Sequence, residues 1–578
     1  MNWKAIDAGC NALHEVAIPA DWANAVDNSA KAKLEGEAKT VAMVEKLMNP
    51  IALMDGDSLP VSAFKDCADG QFELGASAYE KRGTAVMVPE WDAAKCIQCN
   101  NCAFVCSHAT IRPYLLSEAE EKAAPAGLVA VDTKPKAGQY KYTMSVSPLD
   151  CMGCGECVTV CPTAAIKMVP QESRLAEQPV WDYLVKNVSK KADSGYADST
   201  VKGSQFNQPL LEFSGSCAGC AETSYARLIT QLFGENMYIS NATGCSSIWG
   251  GPAATCPYTI NKDSKKGPAW ANSLFEDNAE HGLGMYVGQK FIRDSLIAKL
   301  NEIAAGDKAS DSLKAAIAKF METKDSTLDN VEPTKALIAE LEKLDCSCKD
   351  EILEKKAYLN KKSVWIMGGD GWAYDIGFGG LDHVLASGEN VNVMVFDTEM
   401  YSNTGGQASK ASNIGEVCQF AAAGKDISKK SLAEIAMSYG YVYVAQIALG
   451  ANPAQALKAI QEAEAYNGPS LIIGYAPCEL HGVKGGMNHC QDEMKAAVKA
   501  GYWNLFSYNP ALKAEGKNPF TLTSKEGDGS YQAFLANETR YSSLTRKFPE
   551  RAEFLFKKNE EVAKARFEHL QKLVELYK

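Results

Sequence analysis

Eight cysteines stand in two short runs that share one spacing. The first run is Cys96-x2-Cys99-x2-Cys102-x3-Cys106, and the second is Cys151-x2-Cys154-x2-Cys157-x3-Cys161, followed by Pro162. Three cysteines two residues apart can wrap one cubane, whereas the fourth lies too far along the chain and ligates the other cluster. The spacing predicts two [4Fe–4S] clusters, one held by Cys96, Cys99, Cys102 and Cys161, the other by Cys151, Cys154, Cys157 and Cys106.

A pair of structural zinc sites is the alternative interpretation of these runs. Zinc sites rarely show this triple spacing twice, so the sequence favours a ferredoxin-like module that moves low-potential electrons. The one departure is Ser107, which stands where proline usually follows the last ligand.

A second set of cysteines is less regular. It comprises Cys217-x2-Cys220, Cys245 and the distant Cys478, with Cys490 as the main rival to Cys478. Spacing alone leaves two interpretations open, a third cluster held from distant loops or buried structural cysteines. Seven cysteines have no partner pattern and are predicted to be ordinary thiols: Cys10, Cys67, Cys256, Cys346, Cys348, Cys418 and Cys490.

Two polar loops follow two apolar runs at an interval that suits a diphosphate. Gly369-Asp370-Gly371 ends one run, and 26 residues separate Gly371 from Thr398 in the loop after the next run. Mg²⁺ prefers octahedral oxygen ligands and takes few of them from protein. The Asp370 carboxylate, the Thr398 hydroxyl and the Met400 carbonyl could supply three. The glycines let the backbone approach phosphate closely, as in thiamine-diphosphate enzymes.

Elements that position these loops can be read from the apolar patterning. Buried strands are predicted at Ser363–Gly369, 391–396, 441–445 and Ser470–Tyr475, with helices between them at 372–386, 431–438 and 453–466. This alternation predicts an α/β domain with a mostly parallel sheet, whose ligands lie at the carboxyl ends of the strands.

The domain boundaries follow from these patterns. The sequence predicts an N-terminal connecting segment at 1–90 with a helical stretch at 30–48, and the two-cluster module at 91–170 with an insertion loop or hairpin at 117–141. A polar linker at 171–204 precedes a thiamine-diphosphate domain at 205–510. This domain includes a helical excursion at 297–360. A C-terminal extension at 511–578 carries a long amphipathic helix from residue 550.

Composition excludes several classes of protein. The net charge of −12 argues against nucleic acid as a partner. No run of about 18 apolar residues predicts a membrane span. The first ten residues show no basic region followed by an apolar one, so secretion is not expected. Nineteen cysteines without an export signal indicate a reducing compartment, and we expect the cytoplasm of an anaerobe.

Together these stretches resemble the C-terminal half of pyruvate:ferredoxin (flavodoxin) oxidoreductase, over nearly all 578 residues. The most specific stretches are YEKRGTAVMVPEW, SVSPLDCMGCGEC, FSGSCAGCAET, NATGCSSIWGG, GPAWANSLFEDNAEHGLGM, GYAPCELHG and the long run from GGDGWAYDIG to FDTEMYSNTGGQ. The resemblance implies a third cluster on Cys217, Cys220, Cys245 and Cys478. It places Glu222 and Cys245 against thiamine and Asn403 near the reacting carbon. It also implies that the cofactor is lined by Gly369, Asp370, Gly371, Trp372, Thr398, Glu399, Met400, Tyr401, Ser402 and Asn403.

The resemblance further implies oxidation of pyruvate to acetyl-coenzyme A and CO2, with electrons passing to ferredoxin or flavodoxin. The family's N-terminal half, which holds pyruvate and supplies the glutamate that activates thiamine, has no counterpart here. The chain is therefore expected to be a natural subunit or an excised piece, and to work as a dimer of heterodimers. Two alternatives stay open. One is another 2-oxoacid, such as 2-oxobutyrate or 2-oxoglutarate. The other is an electron carrier with an inactive thiamine fold, against which the intact Asp370, Thr398 and Asn403 argue.

Overall fold

A computed structural model describes residues 2–25, 33–251 and 255–578 of the chain. Its strands, labelled in chain order, are β1 Met87–Trp91, β2 Ile111–Leu116, β3 Val131–Asp132, β4 Lys141–Val146, β5 Ile166–Pro170, β6 Met237–Ala242, β7 Ala269–Ser273, β8 Ser363–Gly369, β9 Asn392–Asp397, β10 Met400–Tyr401, β11 Gln407–Ala408, β12 Tyr443–Ile447, β13 Ser470–Tyr475, β14 Phe506–Tyr508 and β15 Phe520–Leu522.

The α-helices share the rest of the ordered structure with short 3₁₀ and π turns. They are Asn2–Asn11, Ala38–Met43, Asn49–Ala52, Asn101–Val105, Glu118–Ala123, Glu156–Thr159, Gln178–Asn187, Val201–Ser204, Ala221–Phe233, Cys245–Gly250, Asn278–Ala305, Asp311–Thr323, Val331–Lys343, Asp350–Glu354, Phe378–Ala386, Leu432–Met437, Pro453–Ala465, Cys490–Ala500, Tyr531–Asn537, Thr539–Lys547 and Pro549–Leu576. Among the described residues, none of these helices is long and apolar enough to cross a membrane.

One eight-stranded sheet forms the largest part of the molecule, in the order β15-β14-β12-β13-β9-β8-β6-β7. Six neighbouring strands of this sheet are parallel, namely β7, β6, β8, β9, β13 and β12, and β14 and β15 add an antiparallel edge. The central strands are apolar on both faces because helices cover both. Gly369 pairs with Phe396 across β8 and β9. The two predicted polar loops therefore leave the same edge of the sheet side by side.

The ferredoxin-like module, residues 91–170, is built from two similar halves. Each half has a cysteine loop, a short helix (Asn101–Val105 or Glu156–Thr159) and a following strand, and β1 pairs with β5 along the outer edge. The predicted insertion at 117–141 contains the helix Glu118–Ala123 and the short strand β3, which pairs with β4. Trp91, Tyr142 and Ile166 pack beside the cysteines in a common core.

Three regions differ in detail from their sequence predictions. The segment 171–204 contains the helix Gln178–Asn187, whose Val180 and Leu184 pack against Leu116, because its apolar residues recur at helical spacing. The expected helix at 372–386 begins as a π turn, Gly371–Ile376, before Phe378–Ala386. The helical stretch predicted at 30–48 is helical from Ala38, and its residues 30–32 lie outside the described residues.

Candidate active site and iron–sulfur centres

Matched left-handed turns shape the two cysteine loops. Gln98 and Asn100 have φ values of 60° and 63° in the first loop, and Gly153 and Gly155 have 71° and 84° at the equivalent places in the second. Residues in the left-handed region turn the backbone sharply, so two of them curl each loop tightly. Successive thiols can therefore face one centre, as the cysteine spacing predicts.

The structure brings together each predicted set of four. Cys96, Cys99, Cys102 and Cys161 line one small recess with Trp91 and Ile166. In the other half, charge on Cys154, Cys106 and Cys151 acts on Cys157, as does charge on Cys102 of the first set, and Cys106 is also near Cys151 and Cys154. The fourth cysteine of each run thus joins the opposite set.

Burial raises the pKa values of the Cys102 and Cys157 thiols well above the ordinary value for cysteine, and charge on neighbouring sulfurs raises these pKa values further. Four such sulfurs could stay ionised together only around a positively charged centre. Within the described ranges, no three His, Cys, Asp or Glu side chains close tightly enough to hold a single metal ion. Either zinc or a cluster would supply that positive charge, so the doubled cysteine spacing is what favours a cluster.

The third set also assembles, from loops far apart in the chain. Burial raises the pKa of Cys245, and charge on Glu222, Cys220 and Cys478 raises it further, which places these sulfurs together. Cys478 is near Cys217 in the same way. The thiol of Cys490 is also near Cys220, but its other charged neighbours are Glu156 and Cys154 of the ferredoxin-like module. Geometry therefore favours Cys478 over Cys490 as the fourth member.

A small recess opens at the carboxyl ends of β8 and β9. Every residue predicted to line the cofactor contributes to it except Glu399. They are Glu222, Cys245, Gly369, Asp370, Gly371, Trp372, Thr398, Met400, Tyr401, Ser402 and Asn403. The residues that sequence reasoning missed are Thr243, Gly244, Phe275 and Thr404. Thr243, Gly244 and Phe275 follow β6 and β7 in two of the stretches that carry the family resemblance, but no spacing marks them as site residues, and the sheet order brings them here.

The oxygen atoms predicted to hold Mg²⁺ already lie together in this recess. The Thr398 hydroxyl donates to the Asp370 carboxylate at 2.9 Å and also lies 3.0 Å from the Met400 carbonyl oxygen. The Ser409 hydroxyl donates to the other Asp370 oxygen at 2.6 Å. Burial and the nearby Asp397 raise the pKa of Asp370 well above its usual value. A cation beside this carboxyl would restore its charge, so the donor set fits Mg²⁺.

Sequence reasoning placed Glu399 at the cofactor, but its side chain takes part in a buried ion network behind the loop. Its carboxylate lies 3.0 Å from Lys429 and 2.8 Å from Arg540. Burial alone would raise the pKa of Glu399, but the charges of Lys429 and Arg540 outweigh this effect and lower the pKa to about 2. Lys429 also pairs with Asp397 at 2.8 Å. Neither basic residue has a local sequence signal, and Arg540 comes from the C-terminal extension.

His481 links the third cysteine set to the diphosphate loop. Its Nε2 donates to the Thr398 carbonyl oxygen at 2.7 Å, and its Nδ1 accepts from the Cys478 backbone N–H at 3.4 Å. The loop also reaches this set, because Cys245 lines the same recess as Ser402 and Asn403. A cofactor in the recess would therefore lie against this cysteine set.

Glu222 is enclosed beside the recess. The Trp249 indole N–H donates to its carboxylate at 3.0 Å, and burial raises the pKa of Glu222 to about 7.

The prediction of ordinary thiols is wrong for one pair of cysteines outside the recess. Cys346 and Cys348 form a disulfide, and their Cα atoms lie 5.1 Å apart, which is within the normal range for a bridge.

Three sequence-family models match the chain. A domain of unknown function matches residues 29–85, and a 4Fe-4S dicluster domain matches residues 95–165. The third model matches residues 354–473 and describes the C-terminal, cofactor-binding domain of thiamine pyrophosphate enzymes. Thiamine pyrophosphate is another name for thiamine diphosphate. These matches confirm the predicted fold class, an α/β thiamine-diphosphate domain preceded by a ferredoxin-like module.

Curated relatives match the chain from end to end. It is 51% identical to a pyruvate:ferredoxin oxidoreductase of Moorella thermoacetica over 100% of this chain and 49% of that protein. It is 50% identical to a pyruvate-flavodoxin oxidoreductase of Klebsiella pneumoniae over 99% of this chain and 48% of that protein. A mitochondrial pyruvate dehydrogenase [NADP(+)] of Euglena gracilis is 45% identical over 97% of this chain and 31% of that protein. The chain spans about half the length of the first two relatives.

Proposed function

We propose that this chain, which resembles pyruvate:ferredoxin and pyruvate-flavodoxin oxidoreductases along its whole length, is the part of such an enzyme that binds thiamine diphosphate and carries its electrons. The complete enzyme would convert pyruvate and coenzyme A into acetyl-coenzyme A, CO2, a proton and two electrons. The electrons would leave through three [4Fe–4S] clusters to ferredoxin or flavodoxin, in the cytoplasm. The observation that carries this proposal is that Cys245, a member of the third cysteine set, lines the recess together with Asp370 and Thr398.

The residues of the recess have distinct tasks in this proposal. Asp370, Thr398 and the Met400 carbonyl would hold Mg²⁺ and through it the diphosphate. Asn403, between the recess and Cys245, would orient the reacting end of the cofactor. Thiamine diphosphate supplies the carbon nucleophile and the electron sink that decarboxylation needs, and the protein supplies position and surroundings.

The surface around the recess supports a second polypeptide. Ile248, Leu274 and Leu480 expose 61%, 63% and 47% of their surface, and each stands within three residues of Cys245, Phe275 or Cys478. Exposed apolar side chains near a cofactor recess favour an interface there. We propose that the missing half of the enzyme covers this surface, holds pyruvate and supplies the carboxylate that activates thiamine. Two such pairs would associate further.

Isolation of the native complex tests this proposal. The other polypeptide should co-purify with this chain, and the complex should reduce ferredoxin with pyruvate and coenzyme A. Parallel assays with 2-oxobutyrate and 2-oxoglutarate would identify the preferred acid. A complex that binds no thiamine diphosphate and reduces its clusters with none of these acids would refute the proposal and leave an electron carrier.

A further inference from the structure

A single turn, Met487–His489, lies between two cysteine loops of different domains. A Cβ atom on Gly219, which separates Cys217 from Cys220, would lie 2.9 Å from the Met487 carbonyl oxygen. A Cβ atom on Gly155, which follows Cys154, would lie 3.5 Å from the Asn488 side chain. Two consecutive residues therefore contact the loop of the third cysteine set and the loop of the second ferredoxin-type set.

Hydrogen bonds fix this turn to the ferredoxin-like module. The Thr159 hydroxyl donates to the Asn488 carbonyl oxygen at 2.9 Å. Gln491 Nε2 donates to Oε1 of Glu156 at 3.3 Å. Glu156 lies between Cys154 and Cys157 in the chain and is 1% exposed. The turn is thus held against the helix that carries Cys157.

Cys490 is the side chain at the centre of this contact. It is completely buried, it is adjacent in the chain to Gln491, which donates to Glu156, and its thiol is near the Glu156 carboxyl group. It is also close enough to Cys154 and Cys220 for charge on either sulfur to act on it. Neither the catalytic recess nor the three sets of four cysteines uses this residue.

We propose, resting on the function proposed above, that Met487–Cys490 is the bridge by which electrons cross from the cluster on Cys217, Cys220, Cys245 and Cys478 to the cluster on Cys106, Cys151, Cys154 and Cys157, with Cys490 as its positioning residue. One electron crosses at a time. The first cluster is oxidised and the second is reduced, with no bond made or broken. Packed side chains replace water between the two loops, so the bridge fixes their separation and provides one continuous path.

This assignment orders the two ferredoxin-type clusters. The set that contains Cys154 is the inner one, since it meets the bridge. The set that contains Cys96 is the outer one, since Ile97 in its loop is 49% exposed. Electrons would leave to the external carrier from the outer set.

Substitution of Cys490 in the assembled enzyme tests the bridge. Cys490→Ala removes the sulfur and its contact with Glu156, whereas Cys490→Ser keeps a hydrogen-bonding group. Cys67→Ala is the matched control, because Cys67 packs in a separate small core of the N-terminal segment. Iron content and thermal unfolding are measured first. We expect all variants to retain the iron of the unmodified enzyme.

Electron transfer is then followed by freeze-quenched electron paramagnetic resonance after mixing with pyruvate, and by relaxation among the clusters after a pulse of photochemical reductant. Cys490→Ala should slow transfer between the third cluster and the inner cluster by about tenfold, equivalent to a barrier higher by about 1.4 kcal/mol. Cys490→Ser should slow it less, and Cys67→Ala should not change it.

Two results would overturn the bridge. An unchanged relaxation rate in Cys490→Ala would show that electrons cross elsewhere, and loss of four irons would show that Cys490 is a ligand. The photochemical measurement needs no pyruvate. If the unmodified enzyme relaxes normally after the pulse but pyruvate reduces no cluster, the proposed function fails while the bridge stands.

Discussion

The two halves of this molecule encode their sites in different ways. Each set of four in the ferredoxin-like module takes three cysteines from one loop and one from the other loop, so local spacing specifies the geometry. The thiamine recess and its neighbouring set collect residues from 217 to 478, and only the order of strands in the large sheet brings them together. A local site can therefore survive damage to the sheet, whereas the assembled site depends on every element that forms it.

Asp370→Ala is expected to have the largest effect and tests the independence of the two halves. Removing the carboxylate that Thr398 and Ser409 hold should weaken Mg²⁺-dependent thiamine diphosphate binding by more than about a hundredfold, since even outer contacts of a metal site are worth 10–100-fold. The ferredoxin-type clusters should remain reducible by dithionite, because distant sites fail separately. Calorimetric titration and visible spectra measure the two effects.

Asp382→Ala is the control, because Asp382 lies on the same domain but outside the recess, where it accepts a hydrogen bond from Tyr439. Normal thiamine diphosphate affinity in Asp370→Ala would contradict the assignment of the recess.

Cys478→Ala tests whether the distant cysteine completes a third cluster. The unmodified chain should contain about twelve irons as three clusters of four, and the variant should retain about eight. Iron analysis of anaerobically purified protein gives the count, and Cys256→Ala should keep all of the iron. About twelve irons in Cys478→Ala, or about eight in the unmodified chain, would contradict the third set.

Cys99→Ala damages only the outer ferredoxin-type set. In the assembled enzyme, reduction of ferredoxin by pyruvate should stop, while pyruvate should still bleach the cluster nearest the recess. The stopped-flow absorbance of the clusters and that of added ferredoxin separate these two events. Ferredoxin reduction at the normal rate would show that electrons leave without passing through this set.

The sequence predicted the local site almost completely and the assembled site in part. The runs at 96–106 and 151–161 predicted both sets of four and their exchange of the last cysteine. The loops at Asp370 and Thr398 were also predictable, because polar residues follow buried strands. Lys429 and Arg540 could not be predicted, since no motif marks them and Glu399, which both contact, lies 30 and 141 residues away. His481 lies in the stretch GYAPCELHG, but nothing in the sequence places it against Thr398, 83 residues away. Family resemblance, rather than spacing, selected Cys478.

Glu493→Gln should have the smallest effect and tests how the C-terminal extension is attached. Asn537 Nδ2 donates to the Glu493 carboxylate at 2.6 Å, and burial and Glu538 raise the pKa of Glu493 to about 7 from an ordinary 4.5. Between pH 4.5 and about 7, the Glu493 carboxyl group is ionised in the unfolded chain but still protonated in the folded one. Stability is therefore lost as the pH rises through this range.

Glutamine carries no charge, so the variant should be more stable than the unmodified protein by about 2 kcal/mol at pH 8 and equally stable near pH 4.5. Thermal unfolding of both proteins across this pH range measures the difference. An equal difference in stability at every pH would show that the Glu493 charge has no part in it.

The most direct test of the whole account is a viologen assay with pyruvate, coenzyme A, thiamine diphosphate and Mg²⁺. Activation of thiamine needs a carboxylate within hydrogen-bond reach of its aminopyrimidine ring, and we propose that this group lies on the other half of the enzyme. The purified chain alone should give no steady dye reduction, and addition of the other half should restore it. Steady dye reduction by the chain alone, or none by the reconstituted pair, would contradict the account.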